Sequence, residues 1–330
     1  MTAPSPTQVK QSAQPVEPDG GQSRINSVLE SEYDEAWIKE TWGWDDAETF
    51  IKSGGTNLRP RISKALEYAG VSPGMRVLDV GCGRGEVVLE CARRGAEAVG
   101  FDFSAAAISV GEQARNNCPA AVREHSRFIR GDVKDFAKDI GLFDLIFLLD
   151  VVEHLHDWEL VPLLTSLRHL LADGGKLVIH TLPNRWVYEF TYRRIVRLFM
   201  PWLRKNPRSE KEMAIHVNEM SVTHLDQLLR RCGFSCSVWL SEMVTHQALW
   251  HARAPLGGKR GRLYRLMSNP VAAWLYRGAA LTPLRFLIVN DIFAIAWRED
   301  EAVPVPLSGG WLDRLICWGG GRWFPWKFSG

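Results

Sequence analysis

The stretch that most constrains this 330-residue chain is 77–86, Val-Leu-Asp-Val-Gly-Cys-Gly-Arg-Gly-Glu. A short aliphatic run closes on glycines at 81, 83 and 85, and a helix-period segment follows. Alternate glycines let a backbone turn sharply where a strand hands over to a helix, and let it approach a ligand without Cβ interference. An open α/β sheet binds ligands at such a handover. A dinucleotide fingerprint would place its third glycine one position later, at Glu86, so NAD and FAD fit poorly.

Around this turn the chain alternates strand-like and helix-like segments. Aliphatic or β-branched runs at 75–80, 98–103, 126–129, 143–149 and 175–181 predict strands, with helices at 86–94, 105–116 and 160–171. The run at 145–149 is apolar throughout, as a strand covered on both faces should be. Such alternation argues for βαβ units and a doubly wound parallel sheet. Beyond Asn184 the rhythm changes to a basic-aromatic segment at 186–211, a helix at 222–231 stopped by Gly233, a strand at 235–240 and a closing strand at 291–297. The organisation expected is a disordered leader over 1–28, a helical cap over 29–70 and one α/β domain over 71–300. That domain carries a lid insertion at 185–220 and a basic helical insertion at 244–290, and a Gly/Trp-rich tail covers 301–330.

The overall formal charge of +2 hides a split: residues 1–165 carry −9 and residues 166–330 carry +11. The two halves are therefore expected to face different partners. Six cysteines without CxxC spacing argue for buried thiols in a reducing, cytoplasmic setting and against a zinc site. The first 21 residues lack the apolar core of a signal peptide, and no stretch of 18 apolar residues occurs.

With these motifs in view, the chain resembles the class I S-adenosylmethionine-dependent methyltransferases. Their first motif, Asp/Glu-x-Gly-x-Gly-x-Gly, is matched by Asp79-Val80-Gly81-Cys82-Gly83-Arg84-Gly85. Further matches follow in order: Asp102 before Phe103, Asp132 before Val133, and Asp144 opening the fourth strand. The resemblance implies a Rossmann-like seven-stranded sheet with the last strand antiparallel, and S-adenosyl-L-methionine as cofactor. It implies that Asp79 meets the methionine ammonium, that Gly81, Cys82, Gly83 and Gly85 line its path, and that Asp102 holds the ribose with Phe103 beside it. Asp132 and Val133 would read the adenine, and Asp150 would border the same site.

After the fourth strand comes Asp150-Val151-Val152-Glu153-His154-Leu155-His156-Asp157. A helix starting near Asp150 would put Asp150, Glu153, His154 and Asp157 on one face. This segment, with His180-Thr181-Leu182-Pro183-Asn184-Arg185, most resembles the ubiquinone-pathway O-methyltransferases and related small-molecule and sugar methyltransferases. In the ubiquinone enzymes acidic residues and a Glu-His pair here hold a divalent ion, which makes Asp150, Glu153 and His154 candidate ligands for magnesium. A helix-start or pocket-lining role stands as the alternative. Glu153, His154, His180 and His216 are the candidate catalytic residues, since a hydroxyl acceptor must lose a proton.

In the basic half, Tyr192, Ile195, Val196, Phe199 and Leu203 are expected to form one helical stripe, with Arg193, Arg194 and Arg197 elsewhere on that helix. Residues 244–290 contain seven Lys or Arg and no Asp or Glu. Cations with aromatics suit an anionic membrane surface or a lid over an amphiphilic substrate, and they also suit a solvated face. The expected activity is methylation, at oxygen, of a small amphiphilic or anionic acceptor such as a quinone, a lipid or a lipid-linked sugar. An RNA methyltransferase and a non-catalytic cofactor-binding partner at a membrane surface remain the alternatives.

Overall fold

The computed structural model describes Val28 and residues 44–131, 140–199, 201–202, 208, 210–243 and 269–299. The expected leader apart from Val28, the first part of the cap, residues 244–268 of the basic insertion and the Trp-rich tail lie outside them.

Seven strands form one sheet: β1 Arg76–Val80, β2 Glu97–Asp102, β3 Ser126–Arg130, β4 Phe143–Leu149, β5 Leu171–Thr181, β6 Phe234–Ser241 and β7 Asp291–Arg298. Their spatial order is β3-β2-β1-β4-β5-β7-β6. Strands β1 to β5 pair in parallel, and β7 runs antiparallel to both β5 and β6. The sheet is thus the doubly wound arrangement expected, with its final strand reversed.

Strand residues divide between the two faces with the period of two that a pleat imposes. Leu78, Val80, Ile146, Leu148, Leu177 and Ile179 join one core, against α6 (Asp157–Leu170) and α8 (Val222–Arg231). Val77, Leu145, Phe147, Leu149, Val178 and Phe293 join the other, against α2 (Pro60–Ala69) and α3 (Glu86–Arg93). A third cluster packs Phe50 of α1 (Trp44–Lys52) onto Leu89 of α3, Val110 of α4 (Ala105–Asn116) and Val122 of α5 (Ala120–Glu124). Ser104 caps α4 by accepting the Ala107 amide, and Ser221 caps α8 by accepting that of His224.

Two boundaries differ from the sequence reading. Leu171, expected to end a helix, opens β5, whose pairing with β4 shifts register between Phe143 and Leu145 around the turn at Gly174. The segment after Trp186 winds as a π-helix over Val187–Val196 rather than an α-helix, then continues for Arg197–Phe199. A wider winding does not stack residues at 3.6 spacing, and none of the expected stripe within it is buried. Leu203 lies outside the described residues.

The cap helices are fastened to the glycine turn by buried ions. Glu86 receives the Arg59 backbone amide at 3.1 Å and its Nε at 2.7 Å, while Arg84 bridges to Glu86 (3.3 Å) and to Asp46 of α1 (2.6 Å). Arg84 also lies over the Phe50 ring, 4.5 Å from its centroid. Burial alone would raise the Glu86 pKa, but Arg59 and Arg84 hold it down at about 2. Its stabilising charge is therefore in place above the ordinary value of 4.5 and is lost as pH falls through about 2. Glu86→Ala should cost about 3–5 kcal/mol in urea denaturation at pH 7, because the partly buried Arg59 loses its counter-charge and the buried Arg84 is left with Asp46 alone. A cost below about 1 kcal/mol would mean that the cap is held by apolar packing alone.

Candidate active site

The chain leaves β1 through Gly81, Gly83 and Gly85, all at positive φ (72°, 53° and 85°). A Cβ on Gly81 would collide with the Val151 side chain, and one on Gly85 with the Phe128 ring. The turn is thereby pressed between the loop after β4 and strand β3. The Gly81 and Cys82 amides donate to the Phe101 carbonyl at 2.7 and 3.1 Å. The Asp102 carboxylate accepts the Gly83 amide at one oxygen and the Ser104 amide at the other, each at 2.8 Å. These bonds tie the ends of β1 and β2 together and orient Asp102 at the turn, while Phe103 sits half-buried beside it. Cys82 is buried, and burial followed by the Asp102 and Asp79 charges pushes its thiol up, so it packs rather than reacts.

Asp79 is the unsatisfied member. Its side chain is buried, and no described residue donates a hydrogen bond to its carboxylate. Burial, reinforced by Asp102 and Glu86, pushes its pKa well above the usual carboxylate range, with Arg59 the opposing charge. A buried acid in this state gains most from a cation brought by a ligand. A turn closed to a Cβ at Gly81 and Gly85, with a buried acid lacking a donor beside it, fits a ligand that carries an ammonium group. The expected adenine contacts, Asp132 and Val133, lie outside the described residues.

The ends of β4 and β5 carry a second set of charges. Asp150 has φ 57°, a backbone state that disfavours non-glycine residues. Its carboxylate meets His180 Nδ1 and Arg61 Nε of the cap, both at 2.5 Å. His180 is fully buried, and its Nε2 faces Asp291 Oδ1 at 3.1 Å. Burial opposes the charged forms, yet Arg61 and His180 keep Asp150 well below the usual carboxylate range, and the two aspartates raise His180 to about 9. His180 is therefore an imidazolium at neutral pH, clamped between carboxylates. Glu153 is also sealed inside, accepting the Thr181 hydroxyl at 2.7 Å, and burial together with Asp150 raises it to about 8.

The expected single helix face is not formed. Asp150 stands outside any helix, Val152–His154 is one 3-10 turn, and α6 begins only at Asp157. Asp150 turns to His180, Glu153 to Thr181, and His154 Nδ1 to the Ile215 carbonyl at 3.0 Å. The expected magnesium ligands Asp150, Glu153 and His154 thus point to separate partners, and among the described residues no group of three His, Cys, Asp or Glu could hold a metal ion.

What the structure does bring together is His154 and His216, edge to face with ring centroids 4.9 Å apart. His216 follows α7 (Glu210–Ile215), and Asn218 extends the same contact by donating to the Glu153 and Leu155 carbonyls. Burial, with His216 next in effect, lowers His154 to about 4, and burial lowers His216 as well. Both rings are neutral at physiological pH. Since a carbonyl only accepts, His154 Nδ1 is assigned the proton and Nε2 the lone pair.

Sequence reasoning missed Arg59, Arg61, Arg84 and Asp291. Both cap arginines fall within the expected helical cap, Arg84 is the variable position between glycines, and Asp291 the first residue of a closing strand.

Comparison with known proteins follows the same lines. A family profile described as a methyltransferase domain matches residues 55–237, more than half of the chain. The demethylmenaquinone methyltransferase of Tropheryma whipplei is 29% identical over 196 residues, 56% of this chain and 78% of that protein. The ubiquinone biosynthesis O-methyltransferase of Acinetobacter baylyi is 23% identical over 198 residues, 56% of this chain and 81% of that protein. Among solved structures, phosphoethanolamine N-methyltransferase 2 of Haemonchus contortus with S-adenosyl-L-methionine shares the fold, at a TM-score of 0.53 and 17% identity over 80% of this chain. The present chain spans 59% of that one.

The His180 arrangement sets a pH dependence with a definite sign. A proton held more tightly in the folded state stabilises fully below the ordinary value of 6.5, and its contribution disappears as pH rises through about 9. His180→Gln should therefore cost roughly 3 kcal/mol more at pH 6 than at pH 10 in denaturant titrations. A cost that grows with pH would contradict a charged His180.

Proposed function

The chain belongs to the S-adenosylmethionine-dependent methyltransferase family, and from that premise we propose that it methylates a hydroxyl oxygen of a small amphiphilic acceptor with a quinone-type ring. The observation that carries the choice of oxygen is the His154–His216 pair, a neutral imidazole with its tautomer fixed, three residues beyond the Val151 side chain that abuts Gly81. The printed functions of the two quinone-pathway relatives support the ring class of the acceptor.

Asp79 binds the cofactor's ammonium, the backbone from Gly81 to Gly85 lies along its methionine portion, and Asp102 accepts from the ribose hydroxyls. Cys82 and Phe103 flank that path, and Asp132 with Val133 takes the adenine. When bound, S-adenosylmethionine supplies an electrophilic methyl on a sulfonium, so the chemistry asked of the chain is alignment and proton removal. His154 takes the hydroxyl proton at Nε2 as the acceptor oxygen gains the methyl, with Ile215 holding the ring in place. His216 closes the same face from the segment at 185–220, which serves as the lid. His180 and Glu153 are sealed from substrate and act as positioning residues: His180 fixes Asp150 at the site's edge, and Glu153 joins the β4 loop to Thr181 of β5.

Two variants separate the roles. Asp102→Ala should weaken S-adenosylmethionine binding at least tenfold by calorimetry, and unchanged affinity would remove the ribose assignment. His154→Ala should leave that affinity intact while lowering kcat by roughly 10²–10⁴-fold with a prenylated hydroquinone and labelled cofactor. The acid limb of the parent's kcat profile should fall near pH 4 rather than near 6.5. Label transfer to no hydroquinone by a protein that still binds the cofactor would overturn the acceptor class.

A further inference from the structure

Large apolar side chains exposed among the described residues are not scattered. All but three of them, Leu142, Trp158 and Met213, fall within 186–202 and 271–286. Trp202, Leu198 and Trp274 are the most open, at 76%, 75% and 71%. Helix α9 (Pro270–Ala280) buries only Ala280, and the π-helix Val187–Val196 buries nothing. A helix so apolar and so uncovered is unusual on a soluble protein surface.

These segments form one surface. Thr191 of the π-helix donates to the Leu287 carbonyl in α10 (Arg285–Ile288) at 2.6 Å, and Tyr276 of α9 donates to the Ile288 carbonyl at 3.2 Å. Asn184 binds the Phe286 and Val289 carbonyls at 3.1 and 3.0 Å. Asn184 stands three residues beyond Thr181, the last residue of β5, so the surface begins where the active-site end of the sheet stops.

Its charge is nearly all of one sign. Residues 184–202 and 269–288 hold Arg185, Arg193, Arg194, Arg197, Arg277 and Arg285 against a single acid, Glu189. Arg193 pairs with Glu189 at 3.0 Å, Arg277 lies 3.7 Å from Glu242, and Arg285 reaches the Leu240 carbonyl. Arg185, next in sequence to the exposed Trp186, and Arg194 are exposed. Aromatic and aliphatic side chains flanked by arginines match a bilayer interface, where the apolar groups enter the headgroup boundary and the cations meet anionic lipid. No helix among the described residues is long and apolar enough to cross a membrane.

We propose that the surface built by 186–202 and 271–286 docks this protein on an anionic lipid bilayer, beside the mouth of its active site. The bilayer is the occupant that uses both properties at once, apolar insertion and cation excess. Docking there also places the site where an amphiphilic acceptor is dissolved, which deepens the functional reading, while docking itself requires no turnover.

The test is co-sedimentation of the full chain with vesicles of phosphatidylcholine alone or mixed with phosphatidylglycerol, without acceptor. Binding should require phosphatidylglycerol and weaken as salt rises. Trp274→Asp with Leu198→Asp, and separately Arg193→Glu with Arg194→Glu, should each reduce partitioning at least tenfold, with S-adenosylmethionine affinity equal to the parent's as proof of folding. The proposal is overturned by absence of parent binding to phosphatidylglycerol vesicles, or by variants that bind as the parent does. It is overturned as well if the surface proves instead to hold a second copy of the chain, or RNA, with no vesicle binding. Failure here with intact methyl transfer would leave the enzymatic reading standing, and the reverse result would leave the docking surface standing.

Discussion

Buried negative charge at the carboxyl edge of the sheet is the constraint on which the rest of this structure depends. Asp79, Asp102, Glu86, Asp150 and Glu153 gather where β1, β2 and β4 end, with Asp291 at the start of β7. Removing several carboxylates from water costs more than a small domain can tolerate unless each finds a cation, a donor or a proton. The fold answers them one by one. Glu86 is held by Arg59 and Arg84, Asp150 by Arg61 and His180, Asp291 by His180, Asp102 by two backbone amides, and Glu153 by Thr181 and a raised pKa. Asp79 alone in this group has no donor among the described residues, and it stands at the start of the glycine turn.

Seen this way, the cap is part of the site. Arg59 and Arg61 come from the start of α2, so the cap supplies the positive charge that lets the strand ends stay acidic. The same charges sort the candidate residues by role. His180 and Glu153 lie inside and join the β4 and β5 ends, whereas His154 and His216 sit half-buried.

The sheet and its glycine turn were legible because their signals are local. Apolar runs mark β1, β4 and β5, and glycines at 81, 83 and 85 mark positive φ. Asp79 and Asp102 were legible because the family motif places them at strand ends. The partners of those acids were not, since Arg59 meets Glu86 across 27 residues, Arg61 meets Asp150 across 89 and His180 meets Asp291 across 111. No periodicity encodes such distances. The helix expected from Asp150 failed for a physical reason: the 3.6 spacing was present, but the Asp150 carboxylate bonds outside the segment while its backbone adopts φ 57°, and the helix starts only after His156. The charge split read from composition is explained in part: acids of the first half gather at the carboxyl edge of the sheet, and arginines of the second half lie on an exposed apolar surface.

The central claim is that Asp79 awaits the cation of the cofactor, and proton release on binding tests it most directly. Burial and the neighbouring acids push Asp79 toward its neutral form, and an arriving ammonium group favours the charged form. Calorimetric titration with S-adenosylmethionine at pH 6, in buffers of different ionisation enthalpy, should show net release of protons that disappears in Asp79→Asn. Equal proton release in that variant, or none in the parent, would contradict the account.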